Sequence, residues 1–310
     1  MKDDYTNTGV AEPPVEVEDD ERAARQAGRA ASRNGHERGA AVEEHEMPGP
    51  PKSVLREYFE SAVVTVIMAL FGMAFIVQAV KVPTGSMQNT INIGDHLLVN
   101  KFIFGPGPAL PFLPQREIRR GDIIVFKYPG NIHDPEGDKK PENIPFKTNY
   151  VKRVIGLPGD RVELRGDRLF INDKLLPEQI IEGRNVDDKA PLETPAPIPP
   201  RKDGENYAVY YYRETLEAER DGHGQRYDPN FHYAVNGIPA VVPADSYFVM
   251  GDNRDNSSDG RAWGFVHRDL IIGRALFVYW SYDESAPASG NFLADFFRNT
   301  RWNRTGTMIK

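Results

Sequence analysis

The chain has 310 residues, enough to bury a sizeable core in one or two domains. Its formal net charge of −7 gives no electrostatic support to a nucleic-acid partner. It has no cysteine, which excludes disulfides, a cysteine nucleophile and cysteine-ligated zinc, and its seven histidines form neither an HExxH pattern nor an i, i+4 pair, so neither a metal site nor a cofactor is expected.

Residues 1–55 read as a polar tail. The first 50 mix Asp, Glu, Arg, Gly, Ala and Pro with almost no large apolar side chains. Such a stretch has no face to bury and does not offset its ordering entropy, so disorder is expected. The run AVVTVIMALFGMAFIVQAV (62–80) follows; it is free of charge and 19 residues long. That is close to the roughly 20 residues a helix needs to cross the hydrocarbon core. It is apolar all round, unlike a helix with one buried face. It also lies too deep, and runs too long, for a cleaved signal peptide with an apolar core of about 7–15 residues. The expectation is one transmembrane helix over 56–81. Arg22, Arg25, Arg29, Arg33, Arg38, Lys52 and Arg56 precede the run, whereas Lys81 is the only Lys or Arg after it until Lys101. That bias places the N-terminus in the cytoplasm and the C-terminal part outside it, in a single-pass protein of the cell membrane.

Beyond the run the pattern changes to strands. HLLVNKFIF, DIIVFKY, YVKRVIG, RVELRGDRLFIN, YAVYYY, SYFVMGD and LIIGRALFVYW are short, rich in β-branched and aromatic residues, and separated by turn formers. RVELRGDRLFIN reads as a hairpin turning at 165–167. GPGPALPFLP (105–114) and TPAPIPP (194–200) are too rich in proline for central strands and read as loops. The fold class is therefore mainly β: an N-terminal transmembrane helix, then an antiparallel β core carrying an inserted cap. Residues 82–176 and 241–285 read as the two parts of the core, 177–240 as the cap and 286–310 as a C-terminal tail. Within that tail NFLADFFRNTRW (291–302) suits either a bilayer interface or packing on the core.

Two residues stand out chemically. A serine hydroxyl is a weak nucleophile unless a base takes its proton. A lysine serves as that base only when burial lowers its pKa toward 7–8. Lys152 lies in YVKRVIG, where strand alternation puts it on one face with Tyr150 and Val154, and Arg153 and Val151 on the other. Ser86 follows Gly85, a residue that permits close backbone approach. Spacing alone does not join residues 86 and 152. GDNRDNSSDGR is also rich in residues that dominate polar turns.

From Val82 onward the chain resembles bacterial type I signal peptidase, also called leader peptidase. Four boxes carry the likeness: VPTGSMQNTI (82–91), GDHLLVNKFIFG (94–105), YVKRVIGLPGD (150–160) and GDNRDNSSDGRAWGFV (251–266). IGRALFVYWS (272–281) adds to them. They come in the family's order, after the apolar run, and cover roughly 60–282. The resemblance implies a serine endopeptidase with Ser86 as nucleophile and Lys152 as general base, working through an acyl-enzyme. It implies that Ser257 supports the lysine through its hydroxyl and that Asp259 and Arg261 form an ion pair bracing the site. The oxyanion would be held by the Ser86 N–H and the Thr84 hydroxyl. Val82, Met87, Ile91 and Val151 would line the pocket for the small residue before the cut. The implied partners are signal peptides of exported preproteins, the lipid bilayer and the nearby export machinery. Two other readings share some of these features. An inactive, membrane-tethered binding module would not need Ser86, Lys152, Ser257, Asp259 and Arg261 together. A soluble Ser–Lys autoprotease of the repressor kind would carry a DNA-binding domain in place of the apolar run.

Overall fold

The computed structural model describes residues 53–88, 90–105, 115–183, 207–221, 228–287 and 289–309. The expected tail up to residue 52 and the loops at 106–114 and 194–200 lie outside them. The chain divides into two compact units, Met1–Ala62 and Val63–Lys310. The described part of the first is the opening of helix α1 (Val54–Phe75), which continues into the second. The Ser53 hydroxyl accepts from the Arg56 N–H at 3.3 Å, and an Arg56–Glu60 pair closes at 2.8 Å one turn on.

Val63, Val64, Val66, Ile67, Met68, Leu70 and Phe71 of α1 are all exposed. Among the described residues no helix is long and apolar enough to cross a membrane. The helix expected over 56–81 stops at Phe75, because the last part of the apolar run takes the other regular form. Val77–Lys81 is strand β1, paired from Val77↔Asn100 to Lys81↔His96, and Val80 buries with Val99 and Val125. A short β-branched, apolar segment suits a strand as well as a helix, and here sheet pairing decides.

The strands then run β2 (Asp95–Asn100), β3 (Ile123–Lys127), β4 (Asn149–Gly156), β5 (Arg161–Arg165), β6 (Arg168–Ile171), β7 (Lys174–Leu175), β8 (Gln179–Glu182) and β9 (Ala208–Tyr211). After helix α2 (Arg213–Arg220) come β10 (Ala240–Val241), β11 (Ser246–Met250), helix α3 (Gly260–Trp263), β12 (Phe265–His267), β13 (Ile271–Ser281) and helix α4 (Phe292–Asn299). Seven of them form the main sheet in the order β1-β2-β13-β3-β4-β11-β12, with every neighbour antiparallel. A second sheet, β10-β5-β6-β7, contains the expected hairpin, with Arg165 opposite Arg168 and Gly166 at a φ of 61° in its turn. β8 and β9 pair in parallel. The main sheet is thus left at Gly156 and rejoined at Ser246, so the strands outside it begin at Arg161, ahead of the expected insertion at 177.

One apolar cluster joins the two larger sheets: Ile155 and Phe248 meet Val162, Leu164, Val209, Tyr211 and Val242. Gly156 sits at this join. A Cβ there would stand 2.7 Å from Val162 Cγ2, 2.8 Å from Val242 Cγ2 and 3.0 Å from Phe248 Cβ. α4 is reversed in polarity. Asp295 and Asn299 are buried, whereas Phe292, Leu293 and Phe297 face outward with Trp302 beyond them. The segment after it packs on β13, where Met308 bridges Phe277 and Ile309 enters the core. For Gly156→Ala we expect a loss of about 1–3 kcal/mol, the usual cost of overpacking. Urea unfolding with an unchanged m-value would report it, and wild-type stability would contradict the packing described.

Candidate active site

β1 brings the chain to Val82, whose backbone continues the pairing: its N–H donates to Asp95 O at 2.9 Å and its carbonyl accepts from the Gly94 N–H at 3.0 Å. Beyond Thr84 a single 3-10 turn, Gly85–Met87, is closed by the Gln88 N–H on Gly85 O at 2.9 Å. Met87 and Ile91 anchor this turn in a cluster with Val82, Leu97, Ile123, Ala275, Val278 and Ile309, and Val151 packs at its margin. The four expected pocket residues therefore do come together. Met87 and Ile91 are only 1% and 0% exposed, whereas Val151 is half-buried.

The anchored turn leaves Ser86 partly open and directed at β4. There Lys152, 3% exposed, donates from Nζ to Ser86 Oγ at 2.5 Å. The Lys152 ammonium also stands 5.5 Å from the centroid of the Tyr150 ring, the same-face neighbour that alternation requires. Burial, the largest influence, pulls the Lys152 pKa down to about 8; Asp259 and Asp252 push it up, and Arg261 pushes it further down.

The Gly251 box closes over this pair. The Asp259 carboxylate takes both Arg261 Nε (2.9 Å) and Nη2 (2.8 Å), the Gly251 N–H (3.0 Å) and the Ser257 hydroxyl (2.8 Å). Burial works to raise the Asp259 pKa, but the Arg261 charge and hydrogen bonds outweigh it, and the carboxyl lies below the usual range. The Ser257 hydroxyl thus donates its hydrogen bond to Asp259, the carboxylate that Arg261 also holds. Gly251 admits no side chain, since a Cβ there would collide with Ser257 Oγ and the Ser86 carbonyl. Thr84 is exposed beside the turn, in extended conformation.

Several residues in contact with this site have no role that the sequence motifs assign. Arg153 turns to the opposite face from Lys152 and forks onto Asp252 at 2.8 and 2.6 Å. Asp252 also accepts from the Thr90 hydroxyl at 2.6 Å, tying the serine loop to β4. Arg254 forks onto Glu178 at 2.9 and 2.6 Å, both side chains being nearly inaccessible. Arg153, Asp252 and Arg254 lie inside the quoted boxes. A buried charge must be paired, so a charged residue beside Lys152 is a usable signal. Glu178 lies outside every box, and nothing local marks it.

Three segments distant in sequence thus converge on one buried amine and one serine hydroxyl, an arrangement suited to proton transfer and acyl chemistry. The family model described as "Signal peptidase, peptidase S26" matches residues 55–280. A signal peptidase I of Pseudomonas fluorescens is 34% identical over 74% of this chain and 74% of its own length. That of Pseudomonas aeruginosa is 32% identical over 79% of this chain and 78% of its own. That of Aquifex aeolicus is 31% identical over 73% and 85%. A solved signal peptidase I from Enterococcus faecalis aligns with 51% of this chain and 97% of its own at 24% identity and a TM-score of 0.27, a likeness too slight to carry weight. The chain belongs to the signal peptidase family, peptidase S26, and is a serine peptidase.

Proposed function

We propose that this protein is a membrane-bound endopeptidase that removes signal peptides from exported preproteins, with Ser86 as nucleophile and Lys152 as general base. The observation that carries the reading is the contact between a serine hydroxyl and a lysine amine that is almost fully buried. With the amine neutral, Lys152 accepts the Ser86 proton while Oγ bonds to the scissile carbonyl carbon. The carbon–nitrogen bond then breaks, and the leaving amine takes the proton from the Lys152 ammonium. Water attacks the resulting ester with Lys152 again accepting a proton; the bond between the acyl carbon and Ser86 Oγ then breaks, Oγ takes that proton back from the Lys152 ammonium, and the acid product leaves. The oxyanion of each tetrahedral intermediate is held by the Ser86 N–H and the Thr84 hydroxyl. Ser86 is the second residue of its turn, where a backbone N–H has no intrahelical acceptor. Asp259 and Arg261 brace the site, with Ser257 hydrogen-bonded to the carboxylate.

The substrate lies extended, its backbone adding to a strand edge and its small side chains facing the surface above Val82, Met87, Ile91 and Val151. The bilayer reading rests on the exposed apolar side chains of α1 and the outward aromatic face of α4. Apolar surface of this extent is not left in water without a partner, and aromatic residues with Arg298 suit the headgroup level. The basic residues before the apolar run place the N-terminus in the cytoplasm and the catalytic part outside, near the export machinery.

The direct test is incubation of the purified full chain with a preprotein and sequencing of the new N-terminus. Cleavage after a small residue, with small residues at the first and third positions before the cut, is expected. Equal cleavage of a substrate with Phe or Lys just before the cut would contradict the reading. Ser86→Ala and Lys152→Ala should each lower kcat at least about a thousandfold, and the double variant should be little worse, since the two act as one unit.

The pH dependence follows from the buried amine. Below a pH of about 8 the working fraction of neutral Lys152 falls tenfold per unit, so kcat/KM should climb through about 8 and level off above it. Lys152→Arg should stay inactive throughout, because a guanidinium keeps its proton. A flat profile across that range would remove Lys152 as the base.

In cells the protein should resist extraction by alkaline carbonate. Protease added to intact spheroplasts should digest it beyond residue 82. Release by carbonate, or protection of that part, would overturn the membrane reading and leave the chemistry untouched.

A further inference from the structure

Asn253 takes no part in the chemistry above, and β8 and β9 belong to the region that the sequence presents only as a cap. The two meet at the nucleophile. The Asn253 N–H donates to Ser86 O at 3.1 Å, and its Nδ2 donates to Gly85 O at 3.2 Å. One residue, 3% exposed, therefore holds two successive carbonyls of the serine turn. Asn253 is in turn gripped by β9. The Tyr210 N–H donates to Asp252 O at 2.8 Å and the Arg254 N–H to Tyr210 O at 2.8 Å, a parallel bridge that brackets Asn253 on both sides.

Further contacts hold this bridge in place. Glu178, just before β8, closes its buried fork with Arg254, whose Nε also donates to Gly251 O at 3.1 Å. The Asp255 carboxylate accepts the Tyr212 N–H at 2.6 Å. The Arg153 guanidinium lies 4.2 Å from the centroid of the Tyr207 ring, immediately before β9. Apart from the Arg254–Gly251 bond, which lies within the Gly251 box, each of these contacts joins the inserted region either to that box or to the residue next to Lys152.

We propose that the inserted strands are part of the active-site scaffold: β9 and the Glu178–Arg254 pair hold Asn253 extended, and Asn253, as a positioning residue, fixes the turn that presents Ser86 to Lys152. The proposal rests on Ser86 being the nucleophile. A reacting atom displaced by about 1 Å costs roughly a hundredfold in rate, so a clamp on the serine backbone acts on kcat even though it touches no substrate.

The test compares variants of the full chain in detergent, with one short signal-peptide substrate. Asn253→Ala should lower kcat by roughly tenfold or more and leave KM within about twofold, the mark of an interaction felt mainly in the transition state. Glu178→Met combined with Arg254→Met leaves no unpaired buried charge and is of a kind that often folds as well as the ion pair. It should keep the wild-type Tm, lower kcat by about tenfold and speed amide exchange at Asn253. If that pair does not fold, Glu178→Gln, with Arg254 retained, carries the same comparison. Adding Asn253→Ala to either should lower kcat no further than Asn253→Ala alone, because both act through one residue. Wild-type kcat in the Glu178 variants, multiplying effects, or unchanged Asn253 exchange would overturn the proposal. The exchange measurement needs no substrate. Absence of turnover in the wild type would instead overturn the peptidase reading and leave the clamp to be judged by exchange.

Discussion

Placing a lysine amine out of water, in contact with a serine, is the constraint that the surrounding structure meets. An isolated buried ammonium is costly, and proteins relieve that cost by pairing the charge or by letting it neutralise. Here the contact group offered to Lys152 is a hydroxyl, and the nearest carboxylates are already engaged: Asp259 by Arg261 and Asp252 by Arg153. Among the described residues the amine has no dedicated counter-ion, and burial dominates its pKa. The same carboxylates keep the value from falling further. The site thus holds an amine close to the point of losing its proton.

Three buried ion pairs among the described residues are best understood in that light. Replacing a buried pair with apolar residues is often neutral or stabilising, whereas removing one partner is costly. Arg153–Asp252, Arg254–Glu178 and Arg261–Asp259 are all nearly inaccessible, and each is a two-pronged fork of hydrogen bonds. A fork fixes orientation as well as distance. Arg153–Asp252 joins the strand of Lys152 to the Gly251 box, Arg254–Glu178 joins that box to the segment entering β8, and Arg261–Asp259 braces the box itself. Their main contribution is one geometry among three segments that are far apart in the chain.

Much of this architecture is legible in the amino-acid sequence. Alternating β-branched and aromatic residues mark β2, β3, β4, the β5–β6 hairpin, β9, β11 and β13, because such stretches suit a half-buried pleated surface. The pairing of Ser86 with Lys152 comes only from the likeness of whole boxes, since 66 residues separate them and no local rule reaches so far. The end of α1 escapes a hydropathy reading because hydropathy measures burial and not form. VQAV is apolar in either state, and only its pairing with β2 makes it a strand. Glu178 is invisible because a lone acidic residue outside a motif looks like any surface carboxylate until the fold brings Arg254 to it. α4 suits two surroundings by composition, and its inverted polarity emerges only with Asp295 and Asn299 as the inward side.

Only Ile76 separates the end of α1 from β1, and Ser86 follows Phe75 by just 11 residues. A chain spans at most about 3.3–3.6 Å per residue, and part of this stretch is locked in sheet pairing or wound in the serine turn. Ser86 is therefore held on a short, stiff leash from the end of α1. A serine on a long flexible linker would sweep a wide range of positions relative to that helix; this one is confined to a narrow range. On the proposed function, with α1 as anchor and Ser86 as nucleophile, the cleaved bond is then selected by where the target chain sits relative to that level, as with a ruler, as well as by its side chains.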